Sequence, residues 1–469
     1  MRFGARELAT MVALAPLAAP MAVQAQARPD QKAFFTLYKE LVETNTVVGQ
    51  GSCTRAAQQI ATRMKAAGYP DSAVTLFSTP EHPDDGGIVV TLNGSDPSIG
   101  AMLLLGHLDV VAAKREDWVR DPFKLVEEDG FYYARGTVDD KAMSAVWADT
   151  MIRFAQDKFT PRRTVKLALT CGEETTYAFN GADWLARNRP ELVRAEFVLN
   201  EGGGGRLDAN GRRQALAVQV GEKAAQNFTF AATNPGGHSS APTPDNAIYE
   251  LADAIKAVQA YEFPIKFTDT TRAFFAATSQ ALPAPTGPAI KRLLANPADA
   301  QADAIVSRDK TMHSTLRTTC VATLVNAGHA ENALPQRATA NVNCRIFPGE
   351  TVDGTLAKLK ELAGPKVTVT ANQPVRPIAV PPPLDPKIMG PIKTIAAKHF
   401  PNVPVVPMMS TGATDGVFFG TLNMPVYGVP GIFLESDLNG VHGLNERVRV
   451  SALYEGRDYL FDLAKTLAS

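Results

Sequence analysis

AMLLLGHLD, residues 101–109, is the stretch on which the fold turns. Ala101 to Leu105 is a continuous apolar run of the kind found in strands buried on both faces, and it ends on Gly106, His107, Leu108 and Asp109. The pattern recurs downstream. Val165 to Leu169 leads into Cys171-Gly172-Glu173-Glu174, and Phe197 to Leu199 leads into Asn200-Glu201-Gly202. Between the first two runs, Met143, Val146, Trp147, Thr150, Met151 and Phe154 recur at helical spacing. Strands alternating with helices define an α/β layer fold. Ligands of open α/β sheets gather at the carboxyl ends of the strands, and those ends are where this sequence puts its metal-competent side chains.

Two further elements join the set. Asp139 and Asp140 stand immediately before the expected helix, and His442 lies in Val-His-Gly-Leu-Asn-Glu. Imidazole and carboxylate without thiolate suit zinc, with cobalt or manganese as substitutes. Five such ligands exceed what one tetrahedral zinc can use while keeping a position open for water. Two metals about 3.5–4 Å apart with one shared carboxylate solve the count, as in many aminopeptidases and phosphatases.

A second pattern begins near Glu222. Gln226–Ala232 reads as a strand, and Pro244 and Asp245 open a helix with Ile248, Leu251, Ile255 and Val258 on one face. Strand runs at Arg317–Val325 and Arg337–Ile346, a helix near Thr351–Leu362 and a strand at Lys366–Thr370 complete the order β-α-β-β-α-β of a ferredoxin-like unit. Tyr261–His313 falls outside that order and reads as a mostly helical insertion. The proline-rich Pro374–Pro383 crosses back, and Val403–Val406 and Val426–Val429 add strands to the main sheet. The expected architecture is a mostly parallel-sheet catalytic domain, residues 28–222 and 375–469, with a ferredoxin-like α+β domain, residues 223–374, inserted in it.

Arg2 and Arg6 followed by the apolar stretch Leu8–Val23 read as an export signal cleaved near Ala25 or Ala27. Pro16 and Pro20 interrupt that stretch, so it is too short to span a bilayer. The mature chain is expected to be soluble, and periplasmic or secreted. A net charge of −1 without a basic run excludes the electrostatic footprint of a nucleic-acid or anionic-membrane binder. Cys53, Cys171, Cys320 and Cys344 form no C-x-x-C pair. Cys320 and Cys344, in successive strand runs, either face each other as a disulfide or pack as free thiols.

Taken in order, G-H-L-D-V-V, A-R-G-T-V-D-D-K, C-G-E-E, N-E-G, G-G-H-S-S-A-P and V-H-G-L-N-E resemble the zinc-dependent aminoacylase/carboxypeptidase family. This family includes glutamate carboxypeptidase, carnosinase, acetylornithine deacetylase and succinyl-diaminopimelate desuccinylase. The resemblance spans nearly the whole mature chain. It implies one zinc on His107 and Glu201, a second on Glu174 and His442, and Asp139 bridging both, with a cis peptide at Asp139–Asp140. It implies Asp109 orienting the His107 ring and Glu173 as general base. In the inserted lid and dimerisation domain, His238 would stabilise the oxyanion, from the partner subunit of a homodimer. Arg345 would receive the substrate carboxylate, with Asn332 and Gly412 as further substrate contacts.

The implied activity is hydrolysis of an amide bond in small peptides, as a carboxypeptidase or dipeptidase. N-acyl-amino-acid deacylation on the same site is the enzymatic alternative. The intact Glu173 weighs against a non-catalytic metal- or peptide-binding protein. Ala142 and Met143 depart from the glycine usual after Asp-Asp-Lys, and the inserted domain is longer than the family's compact version. Glu446 and Asp415 read as ordinary solvated or capping residues, and His82, His313, His329 and His399 as ordinary histidines. Gly202–Gly205 lacks the Gly-Lys-Ser/Thr ending of a phosphate loop, and Ser239 and Ser240 lack a G-x-S-x-G elbow.

Overall fold

Strands Met102–His107, Val165–Thr170 and Phe197–Asn200 run parallel and side by side in the computed structural model. The structure describes residues 28–469 apart from 176, 177, 379 and 430, so the expected leader lies outside the described residues. The unbroken apolar run has a direct cause. Met102 and Leu104 point into one core cluster with Trp147 and Met151, while Leu103 and Leu105 point into another with Ala182 and Leu185. Each fully buried leucine contributes roughly 1.5–3 kcal/mol. A polar residue at any of these positions would face one core or the other.

Ten strands make up the main sheet. Val426–Gly428 lies parallel to Phe197–Asn200, and Val405–Ser410 lies parallel to Arg213–Glu222, starting two residues later than expected. Antiparallel strands Val74–Thr79 and His82–Leu92 extend the other side. Helix Lys141–Gln156 is buried on nearly every side. It is packed between the sheet and helices Pro29–Glu43 and Val450–Ala468, which explains apolar residues beyond a single stripe. No described helix is long and apolar enough to cross a membrane.

After Glu222 the chain builds a second, four-stranded antiparallel sheet. Ala224–Thr233 lies between Arg337–Ile346 and Val367–Ala371, with Thr319–Ala327 at the edge. That strand order is ferredoxin-like. Phe228, Phe230, Val342, Leu251 and Leu359 form the core between this sheet and helices Ala247–Ala260 and Val352–Ala363. The first of these helices is capped by the Asn246 side chain, and Ile248 in its first turn is exposed instead of joining Leu251 on the buried face.

The stretch from Tyr261 to His313 carries helices Asp269–Ala281, Thr286–Ala295, Ala300–Val306 and, running just past it, Lys310–Leu316. They share an apolar cluster of Phe275, Ile290, Leu293 and Leu316. Helix Asp269–Ala281 packs back against strand Val405–Ser410 of the main sheet.

The joint between the sheets is Glu222-Lys223. Glu222 accepts hydrogen bonds from the Thr414 main-chain N–H and hydroxyl, and burial pushes its carboxyl up to about 8. Lys223 donates to the carbonyls of Ser314 and Arg317 and to the Thr319 hydroxyl, and burial pushes its ammonium down to about 7.

All four cysteines are oxidised. Cys320 and Cys344 are directly opposed on adjacent strands and form a disulfide, which removes the free-thiol reading. Cys53 and Cys171 form a second disulfide across 118 residues. It joins the start of helix Cys53–Ala66 to the end of strand Val165–Thr170, a contact that only the folded sheet brings about.

Candidate metal centre

His107 is held from both sides at the end of its strand. Its main-chain N–H donates to Asp140 and its carbonyl accepts from the Ser144 hydroxyl. Asp140 therefore does not cap the helix that follows it through its side chain. The His107 ring hydrogen-bonds through Nδ1 to the main-chain carbonyl of Asp109 at 3.0 Å, which leaves Nε2 for a ligand.

Asp109 meets the ring with its side chain as well as its main chain. Its carboxylate lies 3.5 Å from the same nitrogen. That carboxylate accepts hydrogen bonds from the main-chain N–H groups of Glu173 and Glu174, at 3.3 and 3.0 Å. Asp109 thus meets the ring through its carbonyl and carboxylate, and the same carboxylate also fixes the turn that carries two acids. The turn itself needs Gly172, whose φ is +97° and whose added Cβ would sit 2.0 Å from the Phe179 carbonyl oxygen.

Asp139 has the geometry of a shared ligand. Its Oδ1 is 3.1 Å from His107 Nε2, which is also 3.8 Å from Glu201. Its Oδ2 is 3.1 Å from His442 Nε2, which is also 2.9 Å from Glu174. Each carboxylate oxygen thus faces a different histidine–glutamate pair, and within each triad the potential ligand atoms lie within 4.8 Å of one another. The peptide between Asp139 and Asp140 is cis.

Charge supplies a second argument for cations. Asp139, Asp140, Glu173, Glu174 and Glu201 converge here with only two imidazoles to offset them. Burial and the neighbouring Glu201 carboxylate hold Glu173 well above the usual carboxylate range, and burial raises Glu201 and Asp140 likewise. Burial disfavours charge on His107, but Glu201, Asp109 and Asp139 outweigh it and lift its pKa. Hydrogen bonds to Asp139 and Glu174 push His442 up to about 10. Buried like charges of this density call for a compensating cation. The donor set fits two divalent ions.

Glu173 stands apart from the acids around it. Its carboxylate meets no hydrogen-bond donor among the described residues, yet it lies within 4.8 Å of ligand atoms on His107 and Glu174. It lines a cleft of roughly 340 Å³ together with Glu174 and His442. The facing wall comes from the second sheet, through Asn227, Asn343 and Arg345, and Gly412 completes the lining. Arg345 is half-buried there, its pKa lowered by desolvation, and no carboxylate among the described residues pairs with it.

The expected substrate contacts divide at this point. His238 lies on the short ribbon Gly237–His238/Ala333–Leu334 and Asn332 just before its second strand, and the Ser239 N–H donates to the Asn332 carbonyl at 3.0 Å. Both are exposed, and neither lines the cleft.

Two residues dismissed on sequence grounds are built into the site. Asp415 is fully enclosed, accepting from the Thr170 hydroxyl and Asn180 amide, and burial raises its carboxyl to about 6. It makes no side-chain cap to helix Gly416–Gly420. Glu446 is buried and accepts from the main-chain N–H groups of Gly136, Val138 and Asp139. The signal for Glu446 was its position four residues after His442. For Asp415 the sequence carried no distinguishing signal.

Two triads of metal-competent side chains that share Asp139 at the ends of parallel strands, beside an unengaged glutamate, fit one class: metal-dependent hydrolases of amide bonds in small substrates. The chain belongs to Peptidase family M20/M25/M40, which matches residues 103–466. It is 30% identical over 406 residues to the human N-fatty-acyl-amino acid synthase/hydrolase PM20D1, covering 84% of this chain and 80% of the relative. In fold it is similar to the M20 family metallo-carboxypeptidase Sso-CP2 from Sulfolobus solfataricus, with a TM-score of 0.71 and 20% identity over 94% of this chain and all of the other. It is likewise similar to the Bacillus subtilis YXEP protein, a dinuclear metal binding peptidase, with a TM-score of 0.60 and 12% identity over 94% and 98% of the two chains.

Proposed function

We propose that the protein uses two zinc ions to hydrolyse the amide bond that joins an acyl or peptidyl group to a terminal amino acid with a free α-carboxylate. The observation that carries this is Arg345, a half-buried guanidinium in the cleft without a carboxylate partner. A planar fork of donors matches a carboxylate bidentately. In this reading His107 and Glu201 hold one ion, Glu174 and His442 the other, and Asp139 both. Cobalt or manganese suits the same donors. Bound zinc would supply Lewis acidity toward the amide oxygen and a lowered water pKa. Glu173 takes a proton from the attacking water and returns it to the departing nitrogen, so the amine leaves neutral. His238, from the partner subunit, donates to the developing oxyanion, and Asn332 and Gly412 position the substrate.

Two acyl partners are compatible with this chemistry. Short peptides fit a carboxypeptidase or dipeptidase. An N-acyl amino acid is favoured by a specific feature of the cleft: its acidic lining residues are Glu173, Glu174 and Asp415, and Asp415 is already engaged by Thr170 and Asn180. No spare carboxylate waits for a free α-ammonium, which suits substrates whose amine is acylated. The name of the human relative points the same way.

Residues 223–374 act in this reading as lid and dimerisation unit. Support comes from exposed Val321, Leu324 and Val325 on the edge strand Thr319–Ala327. The leader-like N-terminus and two disulfides support a periplasmic or secreted location.

The test is a panel of N-acyl amino acids, dipeptides and tripeptides, each with a free and an amidated C-terminus, given to zinc-loaded protein. Turnover should require the free carboxylate. Equal turnover of the amidated forms would remove Arg345 from its role. Acyl amino acids turned over faster than dipeptides would fix the acyl side.

A further inference from the structure

The bridging Asp139 and the ligand His442 sit on different loops, and those loops grip each other reciprocally. From the His442 loop, Glu446 reaches across and takes four donors. Its Oε1 accepts from the N–H groups of Val138 and Asp139, and its Oε2 from the N–H of Gly136 and the Arg135 guanidinium at 2.7 Å. From the Asp139 loop, Arg135 reaches back and donates to the carbonyl of Gly443, the residue after His442, at 2.7 Å. The main chain joins in, with the Ala134 N–H donating to the Glu446 carbonyl. Just beyond, strands Phe131–Tyr133 and Arg447–Arg449 pair antiparallel, so the grip continues a sheet ladder.

The pair is fully enclosed: the Arg135 side chain is 3% exposed and that of Glu446 0%. A carboxylate buried this deeply is tolerated only with its lone pairs filled by good donors. Here they are filled by the main chain of the segment whose position determines where Asp139 points. His442 needs the support, because it has φ +60° and is half-exposed. Left-handed backbone at a non-glycine residue persists where surrounding structure over-determines it.

We infer that Glu446 and Arg135 form a positioning clamp that sets the separation of the two metal ions, by locking Asp139 and His442 in register. The clamp acts unequally on the two sites. Two of the three ligands of the Asp139–Glu174–His442 triad lie on clamped loops, against one of three in the His107–Asp139–Glu201 triad. Loosening it weakens the second ion first and the shared carboxylate bridge with it.

This rests on the reading of Asp139 as a shared ligand, and the experiment separates the two. Wild-type protein, Glu446→Gln and Arg135→Lys are titrated with Mn2+, with metal content measured after equilibrium dialysis. Paramagnetic resonance then distinguishes a coupled pair of ions from isolated ones. Glu446→Gln sets an amide N–H2 against N–H donors. Arg135→Lys keeps the charge but loses the fork that reaches Gly443, and it decides the matter should the first variant not fold. Circular dichroism reports the fold.

Wild type should take up two coupled ions. The folded variants should bind one ion normally, bind the second about 10–100-fold more weakly, and lose the coupled signal. Hydrolysis should show a lower kcat with KM little changed. Two coupled ions in the folded variants, or equal weakening of both ions, would overturn the clamp. A single ion in wild type would instead overturn the shared-ligand reading on which it rests.

Discussion

The two sheets handle their functional residues in opposite ways. In the main sheet, the side chains able to bind metal come off strand ends and from loops pinned by hydrogen bonds, and they meet within one chain. Arg345 of the second sheet reaches the cleft, while His238 and Asn332 face solvent at a separate two-stranded ribbon. The two candidate ligand triads are assembled by the main sheet and its loops alone. In the proposed reading, substrate recognition depends on where the second sheet sits and on what meets the exposed ribbon.

The largest expected effect tests the complete half. Glu173→Ala should lower turnover by a factor on the order of 10²–10⁴ and leave metal content unchanged, since the ligands remain. Loss of metal together with activity would move Glu173 among the ligands. The exposed half predicts that His238→Ala, outside the cleft lining of its own chain, still lowers kcat about 100–1000-fold. A wild-type kcat would show that the ribbon takes no part in the reaction and reduce the contrast to geometry.

A smaller effect is expected at Arg345, the second-sheet guanidinium that lines the cleft. Hydrogen bonds to charged groups contribute about 1.5–3 kcal/mol, so Arg345→Met should lower kcat/KM by roughly 10–150-fold, mainly through KM. Steady-state kinetics on a free-carboxylate substrate read this directly, and a fall confined to kcat would contradict it.

The smallest effect concerns stability at the joint. Burial raises the folded-state pKa of Glu222 to about 8, above the 4.5 of a free glutamate. The stabilisation from its bound proton is therefore complete below pH 4.5 and lost as pH rises through 8. Glu222→Gln keeps the shape of the protonated acid, so it should flatten that part of the pH–stability curve. Urea unfolding at a series of pH values measures it, and an unchanged slope would place the titration elsewhere.

What was legible in the sequence follows the same division. Leu103 and Leu105 against Met102 and Leu104 announce a strand buried on both faces without any knowledge of its neighbours. The second sheet was legible for the same reason, from alternation and helical spacing. Glu446 and Asp415 were not, because a carboxylate serving main-chain N–H groups looks like any surface acid until the loops it serves are in place. The Cys53–Cys171 bond and the Asp109 carboxylate beneath the Glu173 turn were hidden alike. Their partners are chosen by strand order, which local pattern does not encode.

The helix Asp269–Ala281 carries a consequence of a different kind. Strand Val405–Ser410 closes one side of the main sheet, and a strand in that place offers unpaired backbone groups to any passing chain. The helix that lies against it belongs to the long insertion of the other unit. The insertion therefore works as a guard rail. Lifting that helix would take away the neighbour that now packs on this strand.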